Sequence, residues 1–349
     1  MRLANDRRLS RVALLSLGAV CVALAAGPAH AAESVVDQPV QDVVLAAHGR
    51  AVAYSAFDAT TGLFRLRIKV GSSAPRDVPV PPRSVPFDAS VARAYVPGKG
   101  HADVLVYSRC RREPDTAGGI APERDWTTSR GCTLRMTPFD GPEQLITGAG
   151  AGVLPSVAGT TLAYARFSAQ RAPQVIVRRL NRTAAPLRTF GGPSLAGHAQ
   201  GPAAIAVFAN HVAVTWRYDH GNEGQNSRLL VVDVKTGRRM TVREVNGGAL
   251  TGHAIVGASW LSDQSLQWGE ICAGDPGGCP GHSRYGRWAP GHKYRLAAAP
   301  TDMRAYATTA TATWTLRGCA SPPAFSPNEP GARCDLVEQS PAPLVPVGT

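Results

Sequence analysis

Lysine is scarce in this 349-residue chain: only Lys69, Lys99, Lys235 and Lys293 occur, so arginine carries nearly all of the 37 basic charges. With abundant alanine and glycine, that bias is the signature of a GC-rich bacterial genome. The arginines are dispersed in short local pairs and no nucleic-acid-binding motif accompanies them, which argues against a nucleic-acid partner. Aromatic residues make up 6% of the chain. No stretch sustains apolar residues at three- and four-residue steps over ten or more positions, because 36 glycines and 28 prolines interrupt every candidate; a helical fold is excluded. The nucleophile elbow, the zinc-protease helix motif and the phosphate loop are all missing. The sequence implies no cofactor and no metal. The one long apolar run, residues 12–26, falls short of the roughly 20 residues that cross a bilayer, so no membrane span is expected in the mature chain.

That run belongs to a targeting segment. Arg7, Arg8 and Arg11 precede it and Ala29-His30-Ala31 closes it with small residues at a cleavage position, the three-part order of a secretory signal peptide over residues 1–31. Arg7-Arg8 fits a twin-arginine route poorly, since Leu9-Ser10-Arg11 does not continue that pattern. Cys21 lacks the small preceding residue of a lipoprotein. The expectation is a secreted or cell-envelope protein whose residues 32–349 form a single domain with a formal charge of +9. Such a charge favours acidic glycans or anionic cell-wall polymers.

A short strand-like phrase returns six times: Val52-Ala53-Tyr54-Ser55, Leu105-Val106-Tyr107-Ser108, Leu162-Ala163-Tyr164-Ala165, Val212-Ala213-Val214-Thr215, Leu266-Gln267-Trp268-Gly269 and a looser Ala312-Thr313-Trp314-Thr315. The spacing between third positions is 53, 57, 50, 54 and 46 residues. Short β-type runs recurring at this period predict an all-β, six-bladed β-propeller of four-stranded antiparallel blades. In the first unit, residues 43–47, 51–56, 63–70 and 78–80 are expected as inner, second, third and outer strands. Residues 63–70 alternate Phe64, Leu66, Ile68 and Val70 against Arg65, Arg67 and Lys69, the period of a strand with one buried face. The third unit repeats this at 152–157, 161–166, 174–180 and 187–190, and the fourth has its third strand at 228–234 before the turn Lys235-Thr236-Gly237. In units five and six, 265–272 and 311–319 are expected as second strands, while the outer strands are weak. Residues 33–39 are placed to pair with the last blade and close the ring.

Six cysteines follow the targeting segment, an even number that implies disulfides in an oxidising compartment. In units two, five and six the first cysteine falls three to five residues after the recurring aromatic, which points to sequential pairing: Cys110–Cys132, Cys272–Cys279 and Cys319–Cys334. The long loops 111–131, 218–227, 273–292 and 320–333 would all join second to third strands and so share one rim.

Three segments sharpen the fold reading: Val85-Pro86-Phe87-Asp88-Ala89-Ser90-Val91 before Leu105-Val106-Tyr107-Ser108, Leu154-Pro155-Ser156-Val157-Ala158-Gly159 before Leu162-Ala163-Tyr164, and Gly257-Ala258-Ser259-Trp260 before Leu266-Gln267-Trp268. They resemble the repeat of TolB-like six-bladed β-propellers, in which a Pro-x-apolar-Ser-Pro-Asp-Gly turn leads to a strand ending in an aromatic. The Ser-Pro-Asp-Gly core is degraded in every unit here, so the resemblance is to the fold, and it implies a binding scaffold more often than an enzyme.

For ligand binding, Arg284, Tyr285, Arg287, Trp288, His292 and Tyr294 form the richest stretch, since aromatic faces and guanidinium forks can stack on sugars and grip carboxylates or phosphates. Cys272, Cys279 and His282 lack a fourth zinc ligand. Residues 218–226 carry oxygen donors but not the spacing of a calcium loop. Gly148-Ala149-Gly150-Ala151-Gly152 leads into a strand entry instead of the helix that a dinucleotide turn requires. Glu270 and Asp275 are the carboxylates to suspect if the chain were a glycan-processing hydrolase or lyase. The reading favoured is a monomeric, non-catalytic propeller that binds an extracellular or cell-envelope protein or an acidic polymer through its long-loop face.

Overall fold

The protein, seen in a computed structural model, is described over residues 32–39, 44–117, 123–168, 171–181, 186–192, 198–219, 225–245, 253–272, 283–319, 333–340 and 342–347. These build six four-stranded antiparallel sheets, with no helix among the described residues. From inner to outer strand, blade one is Ala46–His48, Ala51–Asp58, Leu63–Val70 and Arg76–Asp77; blade two is Ser90–Val96, Gly100–Arg109, Thr133–Pro138 and Gln144–Leu145. Blade three is Val153–Ala158, Thr161–Ser168, Arg171–Arg179 and Arg188–Gly191; blade four is His198–Phe208, His211–Asp219, Gln225–Asp233 and Arg239–Val245. Blade five is His253–Trp260, Leu266–Cys272, Arg284–Trp288 and Arg295–Ala298. Blade six takes Ala305–Thr308, Thr313–Arg317 and Asp335–Ser340 from the chain's end and its outer strand, Ala32–Asp37, from the beginning. The pairs Val35↔Val337 and Ser34↔Glu338 close the ring, as expected for residues 33–39.

All six recurring phrases lie in second strands, the most enclosed position of a blade, flanked by strands at both edges and covered by neighbouring blades. Tyr54, Tyr107, Tyr164, Val214, Trp268 and Trp314 are all completely buried. A buried aromatic with a polar end needs a partner for that end. The Tyr54 hydroxyl donates to Asp37 and that of Tyr107 to Glu143, while Tyr164 donates to the Ala149 carbonyl at 2.6 Å. Trp268 donates through Nε1 to Glu270 at 3.0 Å. Arg67 pairs with Asp37 at 2.7 Å and Arg109 with Glu143 at 3.3 Å, neutralising each carboxylate.

Details of the strands depart from expectation for identifiable reasons. The outer strand of blade one is Arg76–Asp77 instead of 78–80, because Pro79, Pro81 and Pro82 offer no N–H to extend the ladder. Its inner strand is Ala46–His48, three residues long, and not 43–47. In Leu63–Val70 the alternation holds through Ile68 and then inverts: Val70 is exposed, whereas Lys69 is buried and reaches Glu338 of blade six at 2.6 Å. The ring-closing ion pair overrides the strand's own pattern. Between blades five and six the inner strands approach so closely that a Cβ on Gly257, whose φ is +64°, would lie 2.1 Å from the Tyr306 carbonyl oxygen. Only glycine meets both demands.

Candidate functional site: the arginine-lined central channel

The inner strands are rich in small residues: Ala46-Ala47, Ala92 and Ala94, Ala203-Ala204, Ala258, and Ala305. Short side chains at the axis leave it open, and a cavity of about 800 Å³ runs along it, walled by the inner strands of all six blades. Topology assigns its two ends. Crossovers and second-to-third loops lie at one mouth, and the tight turns joining inner to second strands lie at the other.

Arginine dominates the charged groups of this wall. Among the described residues, Arg50, Arg93, Arg124, Arg217 and Arg304 line the cavity with His48, against one acidic residue, Asp88. Asp88 is withdrawn into a buried network. Its Oδ1 accepts from the Ser108 N–H at 2.9 Å and its Oδ2 from the Leu154 N–H at 2.7 Å. The Arg83 guanidinium lies 3.5 Å from Asp88 and reaches Glu113 at 2.5 Å and the Ser108 carbonyl at 3.0 Å. Leu154 holds a φ of 52°, costly for a branched side chain, at a break in the register of its strand pair. That strained turn is held by the Asp88 carboxylate.

The loop 111–131 reaches the crossover-side mouth. Cys110 is bonded to Cys132 at its base, and the short strands Asp115–Ala117 and Glu123–Asp125 pair within it. Asp125 Oδ1 accepts from the Thr127 N–H at 3.0 Å, and Arg130 donates to the carbonyls of Thr127 and Ser129 at 2.5 and 2.7 Å. This self-bonded loop buries Trp126 against Val153, Leu154 and Cys132 and places Arg124 beside it in the channel wall. Phe167 borders the same cluster. Arg217 is buried nearby, donating to the Ser227 hydroxyl at 3.0 Å and the Ile255 carbonyl at 3.3 Å. Arg304 lies exposed at the start of the blade-six inner strand.

At the turn-side mouth, Trp260 stacks on Phe208 with centroids 6.0 Å apart and planes 27° from parallel. Its Nε1 donates to the Ala206 carbonyl at 3.1 Å, fixing the ring. His48 and Arg93 face each other there. Removal from bulk water, reinforced by the Arg93 charge, holds the His48 imidazole below its ordinary range despite the pull of Asp103.

The stretch singled out in the sequence is placed differently. Arg284, Tyr285, Arg287 and Trp288 form the third strand of blade five, whose side chains alternate between faces, so they do not converge. Tyr285 packs on Tyr306, and Trp288 meets Trp260 edge-on in the core. Arg287 is buried, donating to Ser265 Oγ at 2.9 Å, the Val345 carbonyl at 2.8 Å and Asp263 at 2.5 Å. His292 and Tyr294 are exposed in the turn after this strand, where Tyr294 receives a hydrogen bond from Arg243 at 3.1 Å. Glu270 is fully buried and gripped by Arg243 at 2.7 and 3.0 Å, so it is not presented to any ligand. Asp275, Cys279, His282 and residues 220–224 lie outside the described residues, and with them the Cys272–Cys279 pairing and most of the oxygen-rich loop. Cys319 is bonded to Cys334.

What sequence reasoning missed is the pair Arg124 and Trp126 and the Arg83–Asp88 network. One signal was present: Phe87-Asp88 is the one degraded repeat turn, among the three singled out, that keeps an aspartate.

The chain matches no protein-family model, and no curated protein matches it. Among solved structures it is similar to an ulvan lyase of a polysaccharide lyase family, at 8% identity and TM-score 0.45 over 82% of this chain and 80% of that one. It is similar also to TolB from Acinetobacter baumannii, at 11% and 0.48 over 86% and 66%, and to Trypanosoma rangeli sialidase, at 7% and 0.49 over 87% and 55%. These likenesses concern the path of the chain and say nothing of its chemistry.

Proposed function

We propose that this protein is an exported, monomeric binding propeller that captures an anionic polymer at the crossover-side mouth of its central channel, without turning it over. One observation carries the reading: among the described residues, five arginines line the cavity against a single carboxylate, and that carboxylate is consumed by Ser108, Leu154 and Arg83. Guanidinium groups in a low-dielectric cleft attract anions strongly and grip carboxylates or sulfates through paired N–H donors. The described part of the loop carrying Arg124 and Trp126 is tied by the Cys110–Cys132 disulfide and its own hydrogen bonds, which lowers the entropic cost of docking. Residues 1–31 would direct export of a single domain spanning 32–349, and the two disulfides among the described residues support an oxidising destination.

The test is calorimetric titration of the mature protein with polygalacturonate and with its neutral methyl ester. The anionic form should bind, with affinity falling as salt rises, and Arg124→Ala should weaken it. Equal binding of the two forms, or no binding of either, refutes the reading. Release of unsaturated or shortened products would restore the lyase or hydrolase alternative.

A further inference from the structure

We infer that the ligand is a linear anionic polysaccharide that threads the channel, contacting the Trp260–Phe208 platform at the far mouth as well as Arg124 and Trp126 at the near one. This rests on the anion-binding reading and extends it to the shape and class of the ligand.

The wall residues run from one mouth to the other. Trp126 and Arg124 stand at one end, Trp260, Arg93 and Thr311 at the other, and all belong to the lining of one cavity. An inner strand such as Val153–Ala158 has six residues, which at ~3.3 Å per residue is ~20 Å of channel. Spread over that length, about 800 Å³ leaves a bore of ~40 Å² in cross-section. A single extended chain fits such a bore.

Two features favour a glycan over a peptide. Each inner strand is the terminal strand of its sheet, so the backbone groups that neighbouring blades do not engage face the bore, while others, such as the Ala206 and Ile255 carbonyls, are taken by Trp260 and Arg217. Ser90 and Ser262 belong to the same lining, with the hydroxyls of Ser156, Ser259, Thr309 and Thr311, which also hold neighbouring backbone groups. A chain of pyranose rings offers donors and acceptors around its whole circumference, whereas an extended peptide offers them along two edges. The turn-side mouth also holds a flat aromatic surface, the stacked Trp260–Phe208 pair, suited to the apolar face of a sugar ring. Arg93, largely exposed, pairs with Asp103 at 3.7 Å at the second mouth.

Oligogalacturonates of graded length, biotinylated at one end or at both, provide the test. Threading predicts that affinity rises with length until both mouths are spanned, and that streptavidin on both ends abolishes binding while streptavidin on one end spares it. Trp260→Ala and, as a variant that leaves the core intact, Arg93→Ala should weaken long oligomers about tenfold and leave short ones unchanged. Length-independent binding that survives blocking at both ends overturns threading while leaving anion capture intact. Polyglutamate of matched length binding as tightly as the glycan overturns the assignment to polysaccharide. Failure of every oligomer to bind removes the anion-binding reading itself.

Discussion

The Asp88 carboxylate accepts the backbone N–H of Leu154 at 2.7 Å and thereby ties the entry of blade two to the strained entry of blade three. Removing it would strand the buried N–H groups of Leu154 and Ser108 and take from the buried Arg83 guanidinium one of its two carboxylate partners. Asp88→Ala should therefore destabilise the propeller by about 3–5 kcal/mol, the cost of breaking a buried pair from one side. Asp88→Asn, which retains an acceptor, should cost less. Urea denaturation followed by tryptophan fluorescence measures both.

Glu270 is the complementary case. Arg243 and Trp268 hold its carboxylate in a dry blade interface, so Glu270→Gln should lower the unfolding midpoint without altering affinity for polygalacturonate. A loss of binding in a variant shown to be fully folded would return Glu270 to the functional site.

The phenol–carboxylate pairs make stability fall at high pH. Burial first, then the hydrogen bond to Glu244, raises the Tyr218 hydroxyl to about 12, against the opposing charge of Arg228. Burial and the partners Asp37 and Glu143 raise Tyr54 and Tyr107 as well. The neutral phenol is the stabilised form, so its contribution is complete below the unfolded value of about 10 and disappears as pH climbs through the folded value. Denaturant midpoints measured from pH 8 to 12 should decline above pH 10, and Tyr218→Phe should flatten part of that decline.

Cys110–Cys132 closes a loop with a sequence separation of 22, and opening it with Cys110→Ser plus Cys132→Ser should cost about 3 kcal/mol. Because Trp126 packs on Cys132 and the Leu154 turn, the same variant should bind anionic polymer more weakly, mainly through slower capture by a loop that must first be ordered. Stopped-flow association rates would show it.

Gly257 tests the closeness of blades five and six. Gly257→Ala sets a Cβ against the Tyr306 carbonyl at a positive φ and should destabilise by more than the roughly 1 kcal/mol usual for a glycine-to-alanine exchange at a left-handed position, read as a lowered midpoint in thermal unfolding.

The blade count and the second strands were legible in the sequence, because each is local: a second strand is apolar on both faces wherever it sits, and its aromatic recurs at the blade period. The ring-closing N-terminal strand followed instead from the closure that hides an exposed sheet edge. Pairing within blades two and six was legible too, since Cys110–Cys132 and Cys319–Cys334 each span one loop. The site was not. Arg284, Tyr285, Arg287 and Trp288 read as a cluster because they are neighbours in sequence, yet a strand sends neighbours to opposite faces, and burial between blades then turns them into core. Arg50, Arg93, Arg124, Arg217 and Arg304 are scattered over more than two hundred residues and share a cavity only because six inner strands stand around one axis. Which arginines face that axis, and which carboxylates are already spent on buried partners, is decided by packing between blades, and no single repeat encodes it.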